Sequence, residues 1–159
     1  MSYQPQIGDY FVVRTNGFFG WLIRLGTSSP WNHAGVYIGD GKIIEANPKG
    51  VQISPANKYP LMAWNRHEGL TPKQRAGIAI YAESLVGDLY SFLGVARIAL
   101  RILGFKLFAD TKLMRYLSNK REYFCSELVA EAYDKNGVEM YETPANVTPA
   151  FLAVRIIYQ

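Results

Sequence analysis

Three residues of this chain have side chains suited to acyl-transfer chemistry. They are its single cysteine, Cys125, one of its two histidines, His33, and Glu45, a charge set in the otherwise apolar run KIIEA. A cysteine attacks a carbonyl as its thiolate, which is favoured where unpaired backbone N–H groups and the helix dipole stabilise an anion. The segment CSELVAEAYDKNG predicts a helix opening at Cys125 and closed by Asn136 and Gly137. The sulfur then falls in the first turn, whose free donors also suit the oxyanion of a tetrahedral intermediate. Leu128, Val129 and Ala132 share the Cys125 side of this helix and tie the sulfur to the core. A lone cysteine so placed can equally serve as a small hydrophobe, and both readings stay open.

A thiol nucleophile needs a base. His67 lies in the polar loop WNRHEGL and is expected to be solvated, whereas His33 opens the strand HAGVYIG directly after Asn32. A catalytic imidazole in turn needs a third group to fix its tautomer and stabilise its charged form. Side chains alternate along a strand, so His33, Gly35 and Tyr37 share one face. A three-residue loop of Gly39, Asp40 and Gly41 would pair Ile38 with Lys42 and Gly35 with Glu45. Glu45 would then lie diagonal to His33, with Gly35 leaving room between them. A two-residue loop of Asp40 and Gly41 would turn Glu45 to the Val36 face. The other reading of Glu45 is an edge-strand charge that reaches solvent.

These residues must be positioned by a chain of 159 residues, 49% of them hydrophobic, which is enough for one domain over 1–159 with a substantial core. The net charge of +4 comes from scattered Lys and Arg residues, a pattern that indicates no nucleic-acid partner. One cysteine allows no intrachain disulfide. The stretch MSYQPQIGDY carries Pro5, Gly8 and Asp9 where a secretory signal needs an unbroken apolar core. Synthesis into the cytoplasm is expected, with later delivery elsewhere, as in a phage or virion, left open.

Residues 89–108, LYSFLGVARIALRILGFKLF, are the most apolar stretch. Arg97, Arg101 and Lys106 would each cost about 2.5 to 3.5 kcal/mol near a bilayer centre, against about 0.3 to 0.6 returned by each Leu, Ile, Phe or Val. The segment therefore does not span a membrane. It reads as an amphipathic helix for core packing or for contact with lipid or an apolar substrate.

Elsewhere IGDYFVVRT predicts a first strand, and FFGWLIRLG a short helix with Phe18, Trp21, Leu22 and Leu25 on one face. The hairpin of HAGVYIG and KIIEA follows, and after VQIS comes a loop rich in Pro and Asn. Thr71 and Pro72 form a cap and first-turn pair for a helix running to about Val86 and ended by Gly87. LSNKREY is a polar connector. After the cysteine helix, a tail with Pro144 and Pro149 leads to AVRIIYQ, expected as a last strand.

Gly8-Asp9 with its strand, the hairpin HAGVYIGDGKIIEA, FCSELVAEAY and a Thr143-Pro144 or Thr148-Pro149 element occur in that order. Together they resemble the papain-like thiol hydrolases of the NlpC type, in their circularly permuted branch, over most of the chain outside residues 89–122. In the ordinary order the cysteine comes first; here His33 and Glu45 precede Cys125. The resemblance implies an α+β fold, an antiparallel sheet packed against helices with the nucleophile at a helix N-terminus. It implies Cys125 as nucleophile, His33 as base and then acid, and Glu45 as orienting residue where papain-like enzymes often use Asn or Asp. The implied reaction is hydrolysis of an amide, in a peptide cross-link such as those of bacterial cell walls or in another acyl-amide, through an acyl-thioester. Lipid acyl hydrolases and acyltransferases share the fold, and a non-catalytic module that kept it is a third possibility. No cofactor or metal is expected: the chain has neither a clustered His and Cys set for zinc nor a Gly-rich phosphate loop.

Overall fold

Strand β1 (Tyr10–Val13) is a run of four buried residues with no polar alternation, as befits a strand covered on both faces. The structure is a computed structural model and describes residues 3–65, 67–90, 122–140 and 147–157. β1 joins β2 (His33–Gly39), β3 (Lys42–Asn47), β4 (Gly50–Pro55) and β5 (Met62–Trp64) in a five-stranded antiparallel sheet of order β4-β3-β2-β1-β5. On one face Tyr10, Val12, Ala34, Val36, Ile44 and Ala46 form a core with helices α2 (Pro72–Ser84) and α3 (Cys125–Asp134). On the other, Phe11, Val13 and Ile43 are covered by Tyr37, Tyr59, Met62 and Trp64.

The hairpin fixes which face Glu45 occupies. Its turn has two residues, Asp40 and Gly41, with φ of 50° and 66°, the left-handed pair that matches strand twist. Gly39 accordingly pairs with Lys42, and the three-residue loop is not formed. The register then shifts between Tyr37 and Gly39, so Ile38 is an extra residue and Gly35 still pairs with Glu45. The expected pairing thus arises by a different route, in which a bulge offsets the shorter turn. Trp64, Phe11, Gly35, Glu45 and Gln52 form one cross-strand row. A Cβ on Gly35 would meet the Ile44 carbonyl oxygen at 2.5 Å and the Phe11 ring at 2.8 Å. Gly35→Ala is therefore expected to lower stability in urea unfolding by about 1 to 3 kcal/mol, the range for overpacking a filled site.

Helix α1 (Phe18–Thr27) forms where its pattern predicts, but it turns the other way from a core helix. Phe18, Trp21 and Leu25 are 66%, 50% and 55% exposed, while Ile23 is buried. The excursion from β1 through α1 to β2 is closed by buried Asn32. Its side chain accepts the Thr15 N–H at 2.7 Å and donates to the Thr15 carbonyl at 2.9 Å, immediately before His33.

Gly8 and Asp9 have a packing role. At φ 84° Gly8 lies so close to α2 that a Cβ would stand 2.9 Å from the Arg75 backbone. Asp9, fully buried, accepts the Arg75 guanidinium at 2.8 Å, the Tyr3 hydroxyl at 2.6 Å and the Gln6 N–H at 2.8 Å. Thr71 caps α2 as expected: its hydroxyl accepts the Gln74 N–H at 3.3 Å, and the Gln74 side chain accepts the Thr71 N–H at 3.0 Å.

The C-terminal expectation is corrected. AVRIIYQ is not a strand; its first five residues, Ala153 to Ile157, belong to helix α4 (Pro149–Ile157). Thr148 caps it, accepting the Phe151 N–H at 3.2 Å, and Pro149 supplies the first position. Leu152 and Ala153 are buried against the sheet, and the Leu152 carbonyl accepts the Tyr10 hydroxyl at 3.1 Å. Packing and the cap outweigh the strand preference of valine and isoleucine. Two short strands, β6 (Leu89–Tyr90) and β7 (Glu122–Tyr123), pair in parallel just ahead of α3. Apart from Leu89 and Tyr90, the amphipathic stretch lies outside the described residues, as does most of the connector LSNKREY. Among the described residues no helix is long and apolar enough to cross a membrane.

Candidate active site

His33 begins β2 opposite Val13, and its ring stands edge-on to Phe11 and Tyr59, with centroids 6.4 and 5.7 Å away. The imidazole Nε2 lies 2.6 Å from Glu45 Oε2, the diagonal contact that the hairpin register allows. With Nε2 so engaged, Nδ1 is the ring nitrogen left for a reacting group.

Glu45 is fully buried and is not the solvated edge charge of the alternative reading. Besides His33, its Oε2 accepts the Tyr59 hydroxyl at 2.6 Å, while Oε1 accepts the Ser54 hydroxyl at 2.6 Å and the Lys58 ammonium. Burial alone would push this carboxyl upward. The contacts with His33, Lys58 and Ser54 reverse that and hold it well below the usual carboxylate range. Tyr59 is pushed upward by burial and by the carboxylate it donates to, so it remains a proton donor.

Cys125 is the first residue of α3, buried in the core with Leu128, Val129 and Ala132 as the helical spacing predicts. The Phe124 N–H donates to the Glu127 carboxylate at 3.4 Å, half of a capping box, since phenylalanine has no oxygen to return. Ser126 donates to the Val147 carbonyl at 2.6 Å and pins this turn to the chain ahead of α4. α3 packs on β2 and β3, which brings the thiol to the imidazole. Burial lowers the His33 pKa, but its side-chain interactions with Cys125 and then with Glu45 outweigh burial and raise it from 6.5 to about 9. The structure therefore brings Cys125, His33 and Glu45 into one cluster. His67 lies elsewhere, half-buried with its ring 6.4 Å from that of Tyr133.

Three members of the cluster escaped the sequence reading. Ser54 was within reach of it, because Gln52 pairs with Glu45 and the side chain two residues on shares that face. Lys58 and Tyr59 sit on and after a 3-10 turn (Ala56–Lys58) in a loop whose composition carries no chemical signal. An open cleft of about 970 Å³, lined by Tyr59, Met62, Trp64, His67 and Glu68 among others, has one wall on that same tyrosine.

A sheet that carries histidine and glutamate on its first hairpin, with a cysteine arriving last on a helix N-terminus, has a counterpart among known proteins. The profile described as "Permuted papain-like amidase enzyme, YaeF/YiiX, C92 family" matches residues 10–146, and the chain belongs to that family. A curated relative, the probable lipoprotein peptidase YaeF of Escherichia coli (strain K12), is 24% identical over 152 residues, covering 82% of this chain and 56% of the relative. The chain thus spans little more than half of that protein's length. The crystal structure of metalloprotein yiiX from Escherichia coli O157:H7 has the same fold, with a TM-score of 0.61 and 20% identity over 84% of this chain and 67% of the other.

That neighbour, yiiX, is a metalloprotein. Among the described residues no three His, Cys, Asp or Glu side chains are grouped so as to hold a metal ion. Both oxygens of Glu45 are already taken by donors, one of them an ammonium, which disfavours a second cation there. The described residues do not fit a metal.

Proposed function

We propose that this chain is a cysteine hydrolase that cleaves an amide through an acyl-thioester on Cys125. The observation that carries the reading is the buried His33–Glu45 pair at 2.6 Å, set against a thiol that opens a helix. The imidazole takes the thiol proton, and the sulfur forms a bond to the substrate carbonyl carbon. The first N–H groups of α3, which have no partner within the helix, face the developing oxyanion. The C–N bond then breaks, its electron pair leaves on nitrogen, and the imidazolium passes its proton to that nitrogen. Water next loses a proton to the neutral imidazole and attacks the thioester. The C–S bond breaks, and the acid and the free thiol are released. Glu45 holds the ring and stabilises its charged form throughout.

A peptide or another acyl-amide is the substrate class this reading favours. The test is a thiol-directed acyl probe with a panel of peptide, N-acyl and lipid ester substrates, run on the wild-type chain, Cys125→Ala and His33→Ala. Labelling and amide turnover in the wild type only are expected. Turnover confined to the lipid esters would transfer the site to lipid acyl chemistry. Iodoacetamide uptake titrating near the ordinary thiol value of about 8.5 and indifferent to His33→Ala would identify an inert module.

A further inference from the structure

Holding one imidazole needs one carboxylate oxygen, yet Glu45 receives four donors, two on each oxygen. The pair on Oε1 never touches His33, and it includes a full positive charge. We infer that Lys58 is a positioning residue that sets the proton affinity of His33 by neutralising Glu45, while Tyr59 fixes the carboxylate in the orientation the imidazole meets. The inference rests on the proposed roles of His33 and Glu45 and adds two residues to them.

Electrostatics supplies the reason. A buried carboxylate without a countercharge would bind an adjacent imidazolium so firmly that the proton would not pass to a leaving amine. An ammonium on the far oxygen draws that charge away, and the cluster becomes two opposed pairs, Lys58 with Glu45 and His33 with Cys125. Lys58 is not a loose surface partner. Its side chain is 36% exposed, but its nitrogen lies 3.4 Å from the Ser54 hydroxyl and 5.2 Å over the Tyr59 ring, the same ring that stands edge-on to His33. The groups facing Glu45 are His33 from β2, Ser54 and Gln52 from β4, and Lys58 and Tyr59 from the loop that follows; Cys125 of α3 lies beyond the imidazole.

The experiment is an NMR titration of the His33 ring in the full chain carrying Cys125→Ala, so that the thiol does not contribute. Two histidines make assignment simple, with His67→Gln removing the second. Lys58→Met is expected to raise the His33 midpoint by about one pH unit, as for loss of a charge some 4 to 6 Å away. Lys58→Arg, which keeps the charge, should leave it in place. Tyr59→Phe, which returns carboxylate density to the imidazole, should raise it by a smaller step and provides the test should Lys58→Met not fold. The alkaline limb of kcat/KM should follow the same order in chains that retain Cys125. A midpoint indifferent to both Lys58→Met and Tyr59→Phe overturns the inference, as does Lys58→Arg shifting it as far as Lys58→Met. The titration needs no turnover, so the two readings fail separately. A chain that cleaves nothing but shows the shifts loses the hydrolase reading alone; one that cleaves amides without the shifts loses this one.

Discussion

Replacing Cys125 with alanine is expected to lower kcat/KM for any amide substrate at least about a thousandfold, because only the nucleophile can carry the acyl group between the two half-reactions. The fold should survive. Cys125 is packed among Leu128, Val129 and Ala132, so losing one sulfur atom opens a small cavity whose cost is about 1 kcal/mol, judged from single-methyl deletions in cores. The measurements are steady-state kinetics and the thermal midpoint of the same preparation. Residual activity within tenfold of wild type, with the midpoint held, would remove Cys125 from the reaction.

Glu45→Gln is expected to damage both stability and pH dependence. Glutamine matches the shape of glutamate but carries one N–H₂ group. Turned one way that group faces the Lys58 and Ser54 donors; turned the other way it faces His33 and Tyr59. Either orientation sets the amide N–H₂ against a charged donor, Lys58 on one side or the His33 imidazolium on the other, and the partly exposed Lys58 can turn to solvent, so the cost should be about 1 to 3 kcal/mol, that of a buried group left without its partner. The His33 pKa should fall from about 9 toward its ordinary 6.5, so the variant loses more activity at pH 8 than at pH 6.

Stability should depend on pH with a definite sign. His33 is raised on folding, so its contribution is complete below 6.5 and is lost as pH climbs through about 9. Glu45 is depressed, so its contribution is complete above its unfolded value of 4.5 and is lost only in strong acid. The gap in thermal midpoint between wild type and Glu45→Gln should therefore be widest between pH 5 and 6 and narrow toward pH 10. A gap that widens on the alkaline side would mean that His33 is not held charged by Glu45.

Local signals in the chain make much of this site legible. Alternation and Asp40-Gly41 mark the hairpin, Thr71-Pro72 marks α2, and apolar spacing places Cys125 on the buried side of α3. The turn length is not legible because a bulge has no composition of its own; a three-residue loop and a two-residue turn with a bulge both give Gly35 opposite Glu45, and only coordinates distinguish them. Helix α4 was misread because Val154, Ile156 and Ile157 favour strands in isolation, although Thr148-Pro149 repeats the signal that marks α2. Lys58 and Tyr59 were invisible for a different reason. A loop residue acquires its chemistry from whatever the loop is folded against, and nothing near Ala56–Lys58 in the chain points back to a carboxylate thirteen positions away.

The extra residue at Ile38 makes the hairpin tip a parity device. Inserting or removing residues in pairs there would keep the carboxylate turned toward the imidazole, whereas a single step would send it to the helical side of the sheet with the backbone ladder still intact. A single added residue at this tip would therefore keep the carboxylate in place only with a compensating bulge, whatever its side chain.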